Sequence, residues 1–149
     1  MNISATREKD YNLIKMWFDN WGGLVSNLDF SSAEKMFEKD VIAFGTWMDT
    51  VEGIDSLIEN QWKRIWPTIK DFRFLTETLQ VHISPDRLFA VAVLVWDSTG
   101  FEKNGTTYKR PGRATVSLRR KNLSSSWKGT HTHLSLFRGV KQKSYGPLS

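Results

Sequence analysis

The stretch from Trp127 to Arg138 reads W-K-G-T-H-T-H-L-S-L-F-R. In an extended chain, successive side chains point to opposite faces. His131, His133 and Ser135 then share one face, and Thr130, Thr132, Leu134 and Leu136 the other. Two of the chain's three histidines therefore stand in one column beside a hydroxyl. Such a polar column in a long strand predicts a sheet that lines a pocket, with the imidazoles turned into it. The competing expectation is that the same column faces a second copy of the chain.

Upstream, the period of two continues. Phe72–Ser84, Leu88–Thr99 and Thr107 (or Arg113)–Lys121 read as further long strands. Turn residues separate them at Ser84-Pro85-Asp86, Lys103-Asn104-Gly105 and Asn122 to Ser126. Leu88 to Trp96 is apolar on both faces, which places it centrally in its sheet. Arg113, Thr115, Ser117 and Arg119 form a second alternating column, suited to lie beside the first.

Ahead of the strands the period is helical. Leu13, Ile14, Trp17, Phe18, Trp21, Leu24, Val25 and Leu28 predict a long amphipathic helix from Thr6 to Asn27. Within it, Gly22 and Gly23 each cost about 1 kcal/mol relative to alanine and mark a bend or a close approach to the backbone. Ser31-Ser32-Ala33-Glu34 fits a capping box opening a short helix that ends near Glu38. A short strand follows from Asp40 to Thr46, then a helix from Ile54 to Trp66 that Pro67 stops. Helices first and an antiparallel meander after them describe an α+β fold, with helices on one face of a curved sheet. One domain, 1–149, is expected, with its core at about 6–138; Met1–Ala5 and the tail 139–149 read as loose ends.

Composition narrows the partners. A chain of 149 residues can bury about two-thirds of its unfolded surface. It holds no apolar run of the length that spans a membrane. Met1 to Tyr11 lacks the basic-then-apolar plan of a signal peptide, so a cytoplasmic location is expected. Without cysteine there is no disulfide or thiolate chemistry. Aromatic residues reach 13%, with seven tryptophans, which suits both a core and the walls of a small-molecule pocket. From Phe101 onward there are eleven Lys or Arg against one acid, Glu102. A single-stranded nucleic-acid binder pairs such charge with exposed stacking rings. Here the rings fall in apolar periodic segments, so nucleic acid is not an expected partner.

Three short signatures occur in a telling order. Phe44-Gly45-Thr46 ends the first strand, Gly112-Arg113-Ala114-Thr115 and Leu118-Arg119-Arg120 lie in the penultimate one, and Trp127-x-x-x-His131-x-His133-x-Ser135 is in the last. From about Thr6 to Arg138 the chain resembles a SnoaL-like domain of the nuclear transport factor 2-like, or ketosteroid isomerase-like, superfamily. Its last strand also resembles that of the calmodulin-dependent kinase II association domain. The resemblance implies a cone: a strongly curved antiparallel sheet wrapped around the long helix and two shorter ones. It also implies a pocket at the open end and a homodimer formed through the other face of the sheet. The family holds isomerases, cyclases, dehydratases, hydrolases and non-catalytic modules, so the fold alone selects no reaction.

The residues test some of those reactions. The carboxylate base of a ketosteroid isomerase falls on Gly45 or Thr46 here, its oxyanion tyrosine near Trp21 and its acidic donor near Ala114; none can do that chemistry. The Asp-Arg-Asp set of the related epoxide hydrolases is a carboxylate short, with only Asp97 and Arg113 to supply it. His131 and His133, with His82 as a third ligand, lack a neighbouring carboxylate, so neither metal nor cofactor is expected. What remains as a catalytic set is His131 and His133 as acid or base, and Arg113 to hold a carboxylate or enolate oxygen. The expected ligand contacts are Trp17, Trp21, Phe44, Trp47, Asp49, Trp62, Asp97, Tyr108, Thr115 and Ser135; the tryptophans at helical spacing serve a core equally well. The function so predicted is a conical pocket for a small organic ligand, anions included, with proton-transfer activity of the isomerase, cyclase or lyase type. The alternative is a non-catalytic binding or assembly module.

Overall fold

Helix α1 (Ile3–Ser26) sets the frame of the molecule, in a computed structural model that describes residues 3–149. Ile14, Trp17, Phe18, Trp21 and Val25 are all buried along one stripe of it. Gly22 marks a close approach: a Cβ there would sit 3.4 Å from the Phe74 ring and 3.6 Å from the Phe74 nitrogen. Ser26 Oγ donates to the Phe72 carbonyl at 2.9 Å beside that crossing. The helix already includes Ser4 and Ala5, which were expected to be loose; Met1 and Asn2 lie outside the described residues.

Helix α2 (Phe30–Glu34) begins two residues earlier than the capping box predicts. Its cap is Asp29, whose Oδ1 accepts from Ser32 N at 3.1 Å and from Ser31 Oγ at 3.3 Å. A carboxylate is a stronger acceptor at a helix N-terminus than the neighbouring hydroxyl. The chain then turns into β1 (Phe37–Phe44) and β2 (Val51–Glu52). The single helix expected over 54–66 is a composite: α3 (Ile54–Leu57), a π-helical turn (Ile58–Trp62), α4 (Lys63–Ile65) and a 3-10 turn (Trp66–Thr68) that holds Pro67. A π turn inserts an extra residue per turn, and this one carries Gln61 and Trp62, both buried.

Five strands complete the chain: β3 (Lys70–Ile83), β4 (Phe89–Phe101), β5 (Thr107–Lys109), β6 (Gly112–Arg119) and β7 (Lys128–Leu136). The sheet runs in the order β2-β1-β7-β6-β4-β3, with β5 added to β4. The meander is antiparallel, but β1 joins β7 in parallel, pairing Ile42 with His131 and Phe44 with His133. The sheet curves around α1 as an open cone. Its concave face contributes Ala43, Leu94, Trp96, Ala114 and Val116 to the core. At Gly112 a Cβ would lie 2.2 Å from the Trp96 ring and 2.3 Å from the Ser135 carbonyl, so only glycine lets that indole lie across β6.

One buried ion cluster ties α1 to the sheet. Asp10 accepts from Arg87 Nε at 2.6 Å and Nη2 at 2.9 Å, and from Arg120 Nη2 at 3.1 Å. The tail 139–149, expected to be loose, is fastened. Tyr108 Oη donates to the Lys143 carbonyl at 2.7 Å, Phe101 N to Ser144 Oγ at 2.9 Å, and Tyr145 N to the Phe101 carbonyl at 2.9 Å. The polar, unperiodic sequence hid this because the tail is held by isolated hydrogen bonds rather than by an apolar face. Among the described residues, no helix is long and apolar enough to cross a membrane.

Candidate functional site

The cone encloses a cavity between α1, the helical run 54–68 and the concave side of β3, β4 and β7. Four indoles form much of its wall: Trp21, Trp62, Trp66 and Trp96. Trp62 and Trp66 stack with ring centroids 4.7 Å apart and planes at 20°. Gln61 fixes the lip, since its Oε1 accepts from Trp47 N at 3.1 Å and Met48 N at 2.7 Å. A Cβ at Gly45 would lie 2.3 Å from the Gln61 amide carbon, so the glycine of Phe44-Gly45-Thr46 makes room for that bracket.

The one charged group on the lining is Arg110, only 1% exposed. Its Nη2 donates to the Gln142 carbonyl at 2.7 Å, and its Nε has no acceptor. None of the ion pairs among the described residues includes it. Burial lowers the Arg110 pKa from its ordinary value, opposed only by the neighbouring Tyr108 hydroxyl. Arg87 is the contrast, raised by its hydrogen bond to Asp10. The indole nitrogens of Trp21 and Trp96 likewise lack acceptors. Each unsatisfied buried donor costs about 1–3 kcal/mol, and three of the lining residues carry one.

The residues expected to do chemistry lie elsewhere. His131, His133, Ser135, Arg113 and Thr115 share one face, as the alternation predicts, but it is the outer, convex face. Register places Arg113 beside Ser135 and Thr115 beside His133. Together with Gln80 and Val93 they border an open groove on the far side of the sheet from the cavity. His131 Nδ1 donates to the Ile42 carbonyl at 2.9 Å, and the Phe44 ring meets both imidazoles edge-on at 5.5 and 5.2 Å. The inward parity belongs to Thr132 and Leu134, because the smaller and more apolar alternate column is the one a crowded concave face accepts. His82, on β3, is separated from β7 by β4 and β6, so the three imidazoles are not brought together.

Of the expected ligand contacts, Trp21 and Trp62 line the cavity and Phe44 borders its rim. Trp17 is buried in the core, while Trp47 and Asp49 are exposed. Tyr108 is committed to the tail. Asp97 accepts from Ser98 N at 2.9 Å and forms no ion pair with Arg113.

A model of the SnoaL-like domain matches residues 14–138. The chain belongs to the SnoaL-like family. No curated relative matches its sequence. This SnoaL-like chain is similar in structure to a nuclear transport factor 2-like superfamily protein from Salmonella enterica serovar Typhimurium, with a TM-score of 0.72 and 18% identity over 96% of this chain and 94% of that one. It is similar to the association domain of C. elegans CaMKII, with a TM-score of 0.61 and 17% identity over 89% and 96%. A ketosteroid isomerase-like protein from Erwinia carotovora atroseptica gives 0.62 and 16% over 78% and 88%. At these identities the likeness concerns the fold.

Arg110 is what sequence reasoning missed in this SnoaL-like domain. The signal was parity: Val116, Ala114 and Gly112 form the inward column of β6, and two residues further back the same step lands on Arg110.

Proposed function

We propose that the cone interior binds a small organic anion and that Arg110 anchors it. The observation that carries this reading is the buried guanidinium on an aromatic cavity wall, without a carboxylate partner. A buried charge without its counter-charge is unfavourable; a ligand carboxylate or enolate would supply the missing acceptor by charge-assisted hydrogen bonds. The lining holds no carboxylate, imidazole or lysine, so its groups support binding and charge stabilisation, and no proton transfer is assigned to them.

Tryptophan fluorescence tests the proposal, since four indoles border the site. Titration with small carboxylates is expected to give saturable quenching in the wild type and in Arg113→Met. In Arg110→Met the affinity is expected to fall by about tenfold or more, the size of a lost hydrogen bond to a charged group. Equal quenching in Arg110→Met, or its loss in Arg113→Met alone, overturns the assignment.

A second reading concerns the convex face, where Ile42, Phe44 and Val93 are 52%, 43% and 41% exposed. We propose that two copies meet there, with His131, His133 and Arg113 in the interface. Apolar strands left open to water favour such pairing. Light scattering on a sizing column is expected to give the dimer mass at micromolar concentration, and a strict monomer refutes it.

A further inference from the structure

The cavity volume is about 40 Å³, room for a few waters, whereas ligand sites run to roughly 300–1,000 Å³. A ligand enters only if something moves. The segment 141–146 is bonded to two residues of the cavity wall, Arg110 and Thr46. Arg110 donates to its Gln142 carbonyl at 2.7 Å, and Gln142 Nε2 donates to the Thr46 carbonyl at 2.6 Å. Ser144 Oγ donates to the Thr68 carbonyl and accepts from Phe101 N. Thr46 and Arg110 line the cavity, and Thr68 directly precedes the lining residue Ile69, so the segment ties separate parts of the cavity wall together.

We propose that residues 141–146 are a strap that gates the cavity: the Gln142 carbonyl occupies Arg110 in the empty protein, and a flat aromatic carboxylate takes its place and releases the strap. The inference rests on the anion-binding reading above and adds to it the ligand class and the gate. A neutral carbonyl is the weaker partner for a guanidinium, because a carboxylate brings the opposite charge and can accept two parallel N–H bonds. The exchange therefore favours the carboxylate. The aromatic part follows from the wall, where Trp62 and Trp66 already stack in nearly parallel planes. The strap is suited to leave: it forms no strand or helix, and of its residues only Ser144 and Gly146 are buried. Once the strap leaves, water replaces the donors lost by the carbonyls of Thr46 and Thr68.

The test uses the full chain with benzoate and its neutral isostere benzamide. Two readouts are followed: indole fluorescence for affinity, and tryptic cleavage after Lys141 and Lys143 for the strap. Benzoate is expected to bind at least tenfold more tightly than benzamide and, at saturation, to speed cleavage at both lysines several-fold. Ser144→Ala loosens the strap without touching the cavity wall. It is expected to tighten benzoate by about three- to tenfold, because the open fraction limits apparent affinity. Benzoate binding with cleavage unchanged or slowed overturns the gate and leaves the anion site standing, whereas equal affinity for benzamide overturns the anion reading and the ligand class together. Absence of benzoate binding in both wild type and Ser144→Ala overturns the anion reading itself. Should Ser144→Ala fail to fold, the wild-type cleavage arm decides alone.

Discussion

Arg120 lies with its guanidinium carbon 4.3 Å from the Trp127 ring and its Nη2 3.1 Å from the Asp10 carboxylate. Arg110 is as deeply buried and has one backbone carbonyl. The two sites should respond differently to substitution. Asp10→Asn leaves two arginines facing a neutral amide, one of them 1% exposed, and is expected to cost about 3–5 kcal/mol in urea unfolding. Arg110→Met removes an unpaired buried charge and keeps the apolar stem. It is expected to change stability by less than about 1 kcal/mol, in either direction, because an apolar side chain of similar volume is often neutral in place of a buried ion. A loss of several kcal/mol in Arg110→Met would show that the residue serves the fold rather than a ligand.

Among the elements, β6 shows how packing overrides side-chain chemistry. Its inward column thins to Gly112 because the Trp96 indole lies over it, and Gly112→Ala places a Cβ against both that ring and the Ser135 backbone. Overpacking of this kind costs about 1–3 kcal/mol, so a clear fall in melting temperature is expected; an unchanged midpoint would mean that Trp96 can move aside. The same strand explains what the sequence could and could not tell. Alternation made the strand and its two columns legible, and likewise the column of His131, His133 and Ser135. It does not say which column faces the helix. The polar character of His133 and Arg113 suited the convex side, while Ala114, Val116 and Thr132 could be fitted against α1. Helical spacing located α1 and the run 54–68 well, but a π turn leaves no mark in apolar periodicity. The fastening of 139–149 depends on side chains brought together only after folding.

For the whole molecule, stability is expected to depend on pH in the acid range. Hydrogen bonds from Arg87 to Asp10, from Ser32 to Asp29 and from Ser84 to Asp86 hold all three carboxyls below the usual aspartate value. A group with a lowered folded pKa contributes stability above its unfolded value, about 3.9. That contribution is lost as pH falls through the folded values. Urea midpoints should therefore be flat near neutrality and drop below about pH 4, with a shallower drop in Asp10→Asn; an equally steep drop there would exclude Asp10 as a main contributor. The parallel pairing of β1 with β7 acts on a different axis, that of time. One partner is made early and the other late, and contacts between distant parts of a chain slow folding. During synthesis β1 leaves the ribosome with one hydrogen-bonding edge bare, carrying Ile42 and Phe44, and it stays so until β7 has emerged. The nascent protein is thus most exposed to wrong pairing through its first strand, long before any ligand or second copy can reach it.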